Sequence, residues 1–312
     1  MSELQEYPLV TFALFAYNQE RFIREAVEAA LSQKYARLEI ILSDDCSVDS
    51  TFEIISSIAS DYSGPHEIIV NRNPVNLGLA KHFSNIVKIA RGDIIVVAAG
   101  DDISLPTRVS KTVEMLSSAP DAYFASFTDT VIDADGVLRS RRSNEDENKV
   151  SKVTLEDYIS GCNHPLSGAS RGYRKKMFEV FGDLHTECPT EDTPSILRGL
   201  MIGHALVSSA CGILYRQHGT NLSGPESLHS MKFEEIRNQY LRDVRFAQTA
   251  GLITIEKKEQ IERWAEKNYR RRLIAKEFYY APIKAIYFCQ KIMPSNDFRL
   301  REKLEMLRRV IR

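Results

Sequence analysis

Gly92-Asp-Ile-Ile-Val-Val-Ala-Ala-Gly-Asp-Asp-Ile-Ser-Leu-Pro106 runs from an apolar stretch straight into two adjacent carboxylates. Ile94 to Ala99 is short, continuous and rich in β-branched residues, which reads as a buried strand. Asp101 and Asp102 emerge together where that strand ends. Charge at such a place needs a partner, because an isolated buried carboxylate is very costly. One partner is a hard divalent cation carrying phosphate oxygens. The plainer alternative is that one Asp caps the next helix or makes a turn before Pro106.

The flanking segments give the strand a context. Val10 to Phe15, Leu38 to Leu42 and Glu67 to Val70 read as further strands. Gln19 to Ser32, Ser50 to Ser60 and Leu79 to Ala90 read as helices, each with one apolar face. Strands alternating with helices of this length predict βαβ units and an α/β fold with a mostly parallel sheet flanked by helices. Ligands of such sheets bind beyond the carboxyl ends of the strands. The polar clusters Tyr17-Asn18, Asp44-Asp45 and Asp101-Asp102 all fall at those ends.

After Pro106 the pattern predicts a helix at Arg108 to Leu116, a strand at Tyr123 to Ile132 and a turn at Asp133 to Gly136. Arg139 to Lys152 reads as a polar loop without aromatic residues. Helices are expected from Thr154 to Ser160, Tyr173 to Phe181 and Thr193 to Gly203, with a strand at Leu206 to Arg216. From Ser230 onward the chain reads as helical and basic. The expected domains are therefore an α/β one over 1–229 and a basic helical one over 230–312.

With 312 residues, 43% hydrophobic and 27% charged, the chain has the composition of an ordinary globular protein. Its five cysteines are scattered, without a C-x-x-C pair, which argues for a reducing compartment and against a structural zinc site. No signal core is seen, and no run approaches the roughly 18 apolar residues that cross a bilayer. A cytoplasmic location is expected, with a peripheral place on the cytoplasmic face of the membrane. The net charge of −1 hides an asymmetry. Lys232 to Arg312 holds 20 Lys and Arg against 11 Asp and Glu, and the remainder holds 21 against 31. A basic tail on an acidic body suits an anionic surface.

The order Ala16-Tyr17-Asn18, Ser43-Asp44-Asp45-Cys46-Ser47-Val48-Asp49-Ser50-Thr51, Asn76-Leu77-Gly78, Gly100-Asp101-Asp102, Thr190-Glu191-Asp192 and Tyr215-Arg216-x-His218-x-x-Asn221 resembles the inverting GT-A glycosyltransferases of family 2. The resemblance spans about residues 8 to 223. It implies a GT-A fold and transfer of a sugar from a nucleoside diphosphate to an acceptor hydroxyl, with Mn²⁺ or Mg²⁺ as cofactor. It further implies donor contacts from Ala16, Tyr17, Asn18, Glu20, Asp44, Asn76, Gly78, Lys81 and Asp101. Metal ligation would come from Asp102 and His218, and donor-sugar or acceptor contacts from His164, Gly168, Ala169 and Arg216. Asp192 would be the general base and Glu191 its neighbour at the acceptor. The chain departs from the family pattern at Ala16, where a hydroxyl residue is usual, and at Gly100, which takes the first position of D-x-D.

Elementary chemistry supports parts of this. Asp44 can accept the imide N–H of uracil or thymine, a donor that cytosine lacks, which favours a UDP- or dTDP-sugar; its plainer role is a turn residue. Inversion needs a base opposite the leaving group. Thr190 to Pro194 would equally make a good helix start, with acids complementing the dipole. The Tyr215 to Ser223 stretch is similar to rhamnosyl- and related transferases of O-antigen or capsule assembly, which implies a glycan acceptor, lipid-linked in such pathways. A sugar nucleotidyltransferase would need a Gly-rich, basic loop after the first strand, which Phe15 to Glu20 lacks. A non-catalytic nucleotide-sugar scaffold is the other alternative.

In the tail, Lys267 to Leu273 and Leu300 to Arg312 place basic beside apolar residues at helical spacing, around the aromatic stretch Phe278 to Cys289. Such helices lie in a membrane interface, or else pack on the catalytic domain or a second subunit as a homo-oligomer. No nucleic-acid module is seen.

Overall fold

The structure, a computed structural model, describes residues 7–141, 149–161, 166–219, 221, 229–281 and 283–311. It divides into two compact units, Met1–His218 and Gly219–Arg312.

The first unit begins with β1 (Val10–Ala16), α1 (Ile23–Leu31), β2 (Leu38–Asp44), α2 (Thr51–Asp61), β3 (Glu67–Arg72), α3 (Leu79–Ile89) and β4 (Ile94–Ala99). These are the βαβ units read from the sequence. The first helix starts later than Gln19, because Gln19 to Phe22 form a turn capped by loop contacts. β1 pairs in parallel with β2 and β4, and β2 with β3. Val10, Phe12, Leu14, Ile40, Leu42, Val96 and Ala98 form part of one core with Ile23, Val27 and Ile55 from the helices. A sheet covered on both faces buries both sides of its strands, so near-continuous apolar runs are what parallel strands require.

Beyond β4 come β5 (Ile103–Ser104), α4 (Arg108–Ser118), β6 (Ala122–Asp133), β7 (Leu138–Arg141), β8 (Val150–Val153), α5 (Leu155–Ser160), β9 (Gly172–Arg174), α6 (Lys176–Phe181), α7 (Asp192–Ile202) and β10 (His204–Gln217). The described strands make one ten-stranded sheet in the order β3-β2-β1-β4-β9-β6-β10-β5, with β7 on β6 and β8 on β10. Short antiparallel β9 joins the parallel half to β6 and β10.

Two sequence expectations are corrected. Tyr173 opens no helix. It lies on β9, between β4 and β6, where Tyr173 is 1% exposed and its ring packs 5.8 Å from Phe124 and 5.5 Å from Phe178. Sheet insertion overrode a helical pattern that begins only at Lys176. The polar loop expected over Arg139 to Lys152 is strand at both ends, in β7 and β8, and 142–148 lie outside the described residues. β7 and β8 are edge strands, so their side chains need not be apolar.

The second unit contains α8 (Phe233–Thr249), α9 (Ile255–Tyr280), α10 (Lys284–Tyr287), a π-turn at Phe288–Ile292 and α11 (Leu300–Ile311). Tyr240 of α8 meets Trp264 of α9, with ring centroids 5.3 Å apart. Phe278, Phe288, Ile292 and Phe298 form a small core of their own, with Met306 and Leu307 packed against it. No helix among the described residues is long and apolar enough to cross a membrane.

Gly92 is where β4 is brought level with β1. Its N–H donates to Thr11 Oγ1 at 2.9 Å, and Thr11 in turn donates to Glu39. A Cβ at Gly92 would lie 2.4 Å from the backbone N of Thr11 and 2.7 Å from the carbonyl carbon of Val10. Backbone cannot yield as a side chain does, so Gly92→Ala is expected to cost about 1–3 kcal/mol in urea denaturation. An unchanged midpoint would show that the strands are not locked here.

Candidate active site

The parallel register sets the geometry. Ala16 stands opposite Asp44, Asp44 opposite Arg72, and Phe15 opposite Ala99. The loops after four neighbouring strands therefore leave the sheet at one level. Those after β1 and β2 are laced together. Asn18 N–H donates to Ser47 Oγ at 2.8 Å, and Val48 N–H returns to Asn18 Oδ1 at 3.0 Å. Gln19 N–H donates to Thr51 Oγ1 at 2.7 Å, and Glu20 N–H to Asp49 Oδ2 at 3.1 Å. Glu20 accepts from Ser50 N–H at 3.0 Å. Asn18 and Cys46 are the described non-glycine residues with positive φ, at 51° and 62°. Such backbone is costly and persists where surrounding contacts over-determine it.

Asp44 is fully buried and accepts from Ser47 through both its N–H and its hydroxyl, with Arg72 Nε 3.5 Å away. The turn role is therefore real. Asp45, which the sequence marked only as Asp44's neighbour, holds the third loop. Its carboxylate accepts from Asn73 Nδ2 at 2.7 Å, Leu77 N–H at 3.0 Å and Gly78 N–H at 2.9 Å. Gly78, at φ 74°, takes the turn into α3, with Asn76 Oδ1 also accepting its N–H. Tyr17, Asn18, Glu20, Asn76, Gly78 and Lys81 are exposed along this rim. Ala16 is not: its side chain belongs to the core, and it serves the site only through its carbonyl, which accepts from Asp45 N–H. A Cβ on Gly100 would come 3.2 Å from Ala16 Cβ and 2.9 Å from Ile23 Cδ1. Gly100 thus packs the strand end against α1.

Asp101 and Asp102 sit where β4 ends, 9% and 4% exposed. Asp102 Oδ1 accepts the N–H of Arg216 at 2.8 Å. Burial, with Asp101 alongside, pushes its carboxyl well above the usual carboxylate range. His218 Nε2 lies 2.9 Å from Asp101 Oδ2, and its ring stacks on Phe22 at 4.6 Å. Arg216 is corrected from sugar contact to positioning residue. It is 1% exposed, with Nε on the carbonyl of Asp101 at 3.0 Å and Nη2 on Glu25 at 2.9 Å, so it lies behind the aspartates and steadies their turn.

No three His, Cys, Asp or Glu side chains among the described residues converge to hold a metal alone. The donor chemistry still suits a hard cation. Mg²⁺ and its like are commonly held by one or two carboxylates and complete their shell with water and substrate phosphate oxygens.

A second cluster forms around Asp192, which opens α7. Its Oδ1 accepts from Thr190 Oγ1 and Thr193 N–H, each at 2.5 Å. Its Oδ2 faces Gly168, where a Cβ would come within 2.9 Å. Only glycine lets the 3₁₀ turn Gly168–Ser170 approach the carboxylate so closely. Ala169 follows on the same turn, half-buried; His164 lies outside the described residues. Arg171, missed in the sequence, is buried between the parts. It donates to the carbonyls of Asp192 at 2.7 Å and Leu166 at 2.8 Å, with Nη2 3.9 Å from Asp192 Oδ2. The Arg171 carbonyl accepts from Val97 N–H of β4 at 3.0 Å. Arg108, also buried, bonds Val97 and reaches the Arg171 carbonyl at 3.3 Å. Arg171 sits among small residues and beside Arg174, Lys175 and Lys176, so nothing local in the sequence marks it as the buried one.

Glu191 Oε2 is shut from solvent with no hydrogen-bond partner among the described residues. Burial, then the neighbouring Asp192, raises its carboxyl from 4.5 to about 7. An unfolded chain ionises Glu191 from about 4.5, whereas the folded chain keeps the proton until about 7. This group therefore lowers stability as pH climbs through that window and changes nothing further above it. Glu191→Gln is expected to flatten that part of the pH–stability curve in urea melts. An unaltered slope would mean that the carboxyl ionises normally.

The Glycosyl transferase family 2 model matches residues 11–182, just over half of the chain. The succinoglycan biosynthesis protein ExoO of Rhizobium meliloti is 30% identical over 176 residues, 56% of this chain and 49% of that protein. The UDP-Glc:α-D-GlcNAc-diphosphoundecaprenol β-1,3-glucosyltransferase WfaP of Escherichia coli is 33% identical over 130 residues, 42% of this chain and 49% of that one. The chain thus spans about half the length of these curated relatives. The crystal structure of S. aureus TarS 1-349 in complex with UDP superposes with a TM-score of 0.61 at 16% identity, covering 95% of this chain and 77% of that one. That likeness speaks for the GT-A fold. By the family match over its strand ends and loops, the chain belongs to glycosyltransferase family 2.

Proposed function

We propose that this chain is an inverting glycosyltransferase moving a sugar from UDP or dTDP to a hydroxyl of a lipid-linked glycan during bacterial surface-polysaccharide assembly. The observation that carries the reading is that both carboxylate clusters hang on one strand. β4 ends in Asp101 and Asp102, and through Val97 it holds the Arg171 that clasps Asp192. Succinoglycan in the name of ExoO and a diphosphoundecaprenol acceptor in that of WfaP support the pathway and acceptor class.

The nucleotide lies along the exposed rim of Tyr17, Asn18, Glu20, Asn76, Gly78 and Lys81, with Asp101 at the ribose. The imide N–H of the base takes the place of the Ser47 hydroxyl on Asp44. A divalent cation held by Asp102 and His218 supplies charge neutralisation for the departing diphosphate. Asp192 Oδ2 takes the proton of the acceptor hydroxyl as its oxygen attacks the anomeric carbon in line. The bond from that carbon to the diphosphate oxygen breaks, and configuration inverts. Thr190 and Thr193 fix the carboxylate by its other oxygen, so the basic lone pair keeps its aim. Gly168 and Ala169 leave room for the sugar against the backbone. Glu191, its carboxyl raised to about 7 by burial and by Asp192, contacts the acceptor.

The test is nucleoside diphosphate release from a panel of UDP- and dTDP-sugars given polyprenyl-diphosphate-linked saccharides. Asp192→Asn should lower kcat about 10²- to 10⁴-fold while donor affinity stays unchanged. Transfer at the normal rate would remove Asp192 as the base.

A further inference from the structure

The second unit displays an apolar, cationic surface that lies outside the site proposed for sugar transfer. From Phe278 to Asn296 the chain carries no Asp or Glu and two cations, Lys284 and Lys291. Its core-forming residues are accounted for: Phe278, Phe288 and Ile292 turn inward. The others are left in solvent, with Tyr279 45%, Ile283 58%, Ile286 50% and Met293 62% exposed, and Tyr280 beside them at 42%. Isolated exposed apolar residues are ordinary, but five within fifteen positions, without an acid among them, are not.

Lysines border this group. Lys284 Nζ lies 5.6 Å over the Tyr279 ring, and Lys303 of α11 donates to the carbonyl of Met293 at 2.8 Å. α11 adds exposed Leu300 and Leu304, with Arg301 and Arg308 also exposed. Tyrosines, branched aliphatics and long cationic side chains are the combination that settles at the headgroup level of a bilayer. The wider charge agrees, since Lys232 to Arg312 holds a net +9. A second copy would bring the same positive charge to the same patch, which argues against self-association there.

We infer that the Tyr279–Met293 surface is a docking face for an anionic membrane, with the Ile283, Ile286 and Met293 side chains entering the interface and Lys284 and Lys291 meeting lipid phosphates. The contact is peripheral and needs both parts, because apolar insertion gives hold and charge gives lipid selectivity. It stands on the second unit alone and does not depend on the transferase reading.

The full chain is to be sedimented with large vesicles of equal parts phosphatidylglycerol and phosphatidylcholine, and with phosphatidylcholine alone. Binding to the first and not the second, weakened by salt, is expected. Ile286→Glu with Met293→Glu should weaken partition by at least about tenfold, and Lys284→Glu with Lys291→Glu by several-fold. Val70→Glu, at another exposed apolar position, on β3, should change nothing. These residues are surface-exposed, so circular dichroism and melting should match the parent. Equal binding by parent and the Ile286/Met293 variant would overturn the proposal. So would a lipid-free dimer that the same variant dissolves, which would make the face a contact between copies.

Discussion

The parallel register of β1 to β4 is the constraint on which everything else rests. Because Ala16, Asp44 and Arg72 are partners across adjacent strands, with Phe15 and Ala99 paired one step back, the loops after these strands start from one edge. A slip by one residue would exchange the side chains that a strand presents to the two layers packed on the sheet, and would carry the aspartates away from one another. The polar lock at the opposite end, where Glu39 gathers Thr11 and Arg91, belongs to the same device. It satisfies a buried carboxylate while holding the strands level, and breaking it would leave that charge unpaired.

From that edge the candidate site is assembled by buried groups. Asp45 anchors the loop before α3, Arg216 steadies the Asp101–Asp102 turn from behind, and Arg171 joins the Gly168 turn to the start of α7. Each bonds loop or turn backbone: Asp45 the N–H groups of Leu77 and Gly78, Arg216 the carbonyl of Asp101, and Arg171 the carbonyls of Leu166 and Asp192. The groups proposed to act, Asp192 Oδ2 and the rim from Tyr17 to Lys81, are held by neighbouring side chains and loop backbone. Preorganisation of this kind is what lets a carboxylate act as a base without first paying to find its geometry.

Much of this was legible in the sequence. Ile94 to Ala99 as a strand, the alternation of helices and strands before it, and the fall of polar clusters at strand ends follow from periodicity and composition, which local rules capture. What escaped was set by distant partners. Tyr173 reads as helical and is a strand because β4 and β6 lie on either side of it. Arg216 reads as a ligand contact because the family resemblance places it in the Tyr215-Arg216-x-His218 motif. Only the fold shows it turned toward Glu25. Ala16 was grouped with the donor site for the same reason, and lies in the core. For Asp44 the plainer reading is the observed one, since both Ser47 groups bond its carboxylate in the turn after β2.

The most direct measurement is calorimetric titration of the full chain with UDP, dTDP, GDP and CDP, each with and without Mn²⁺. The account predicts binding of UDP or dTDP, strengthened by the cation, with the cation effect lost in Asp102→Asn. Selective binding of GDP or CDP, or no nucleotide binding at all, would contradict it.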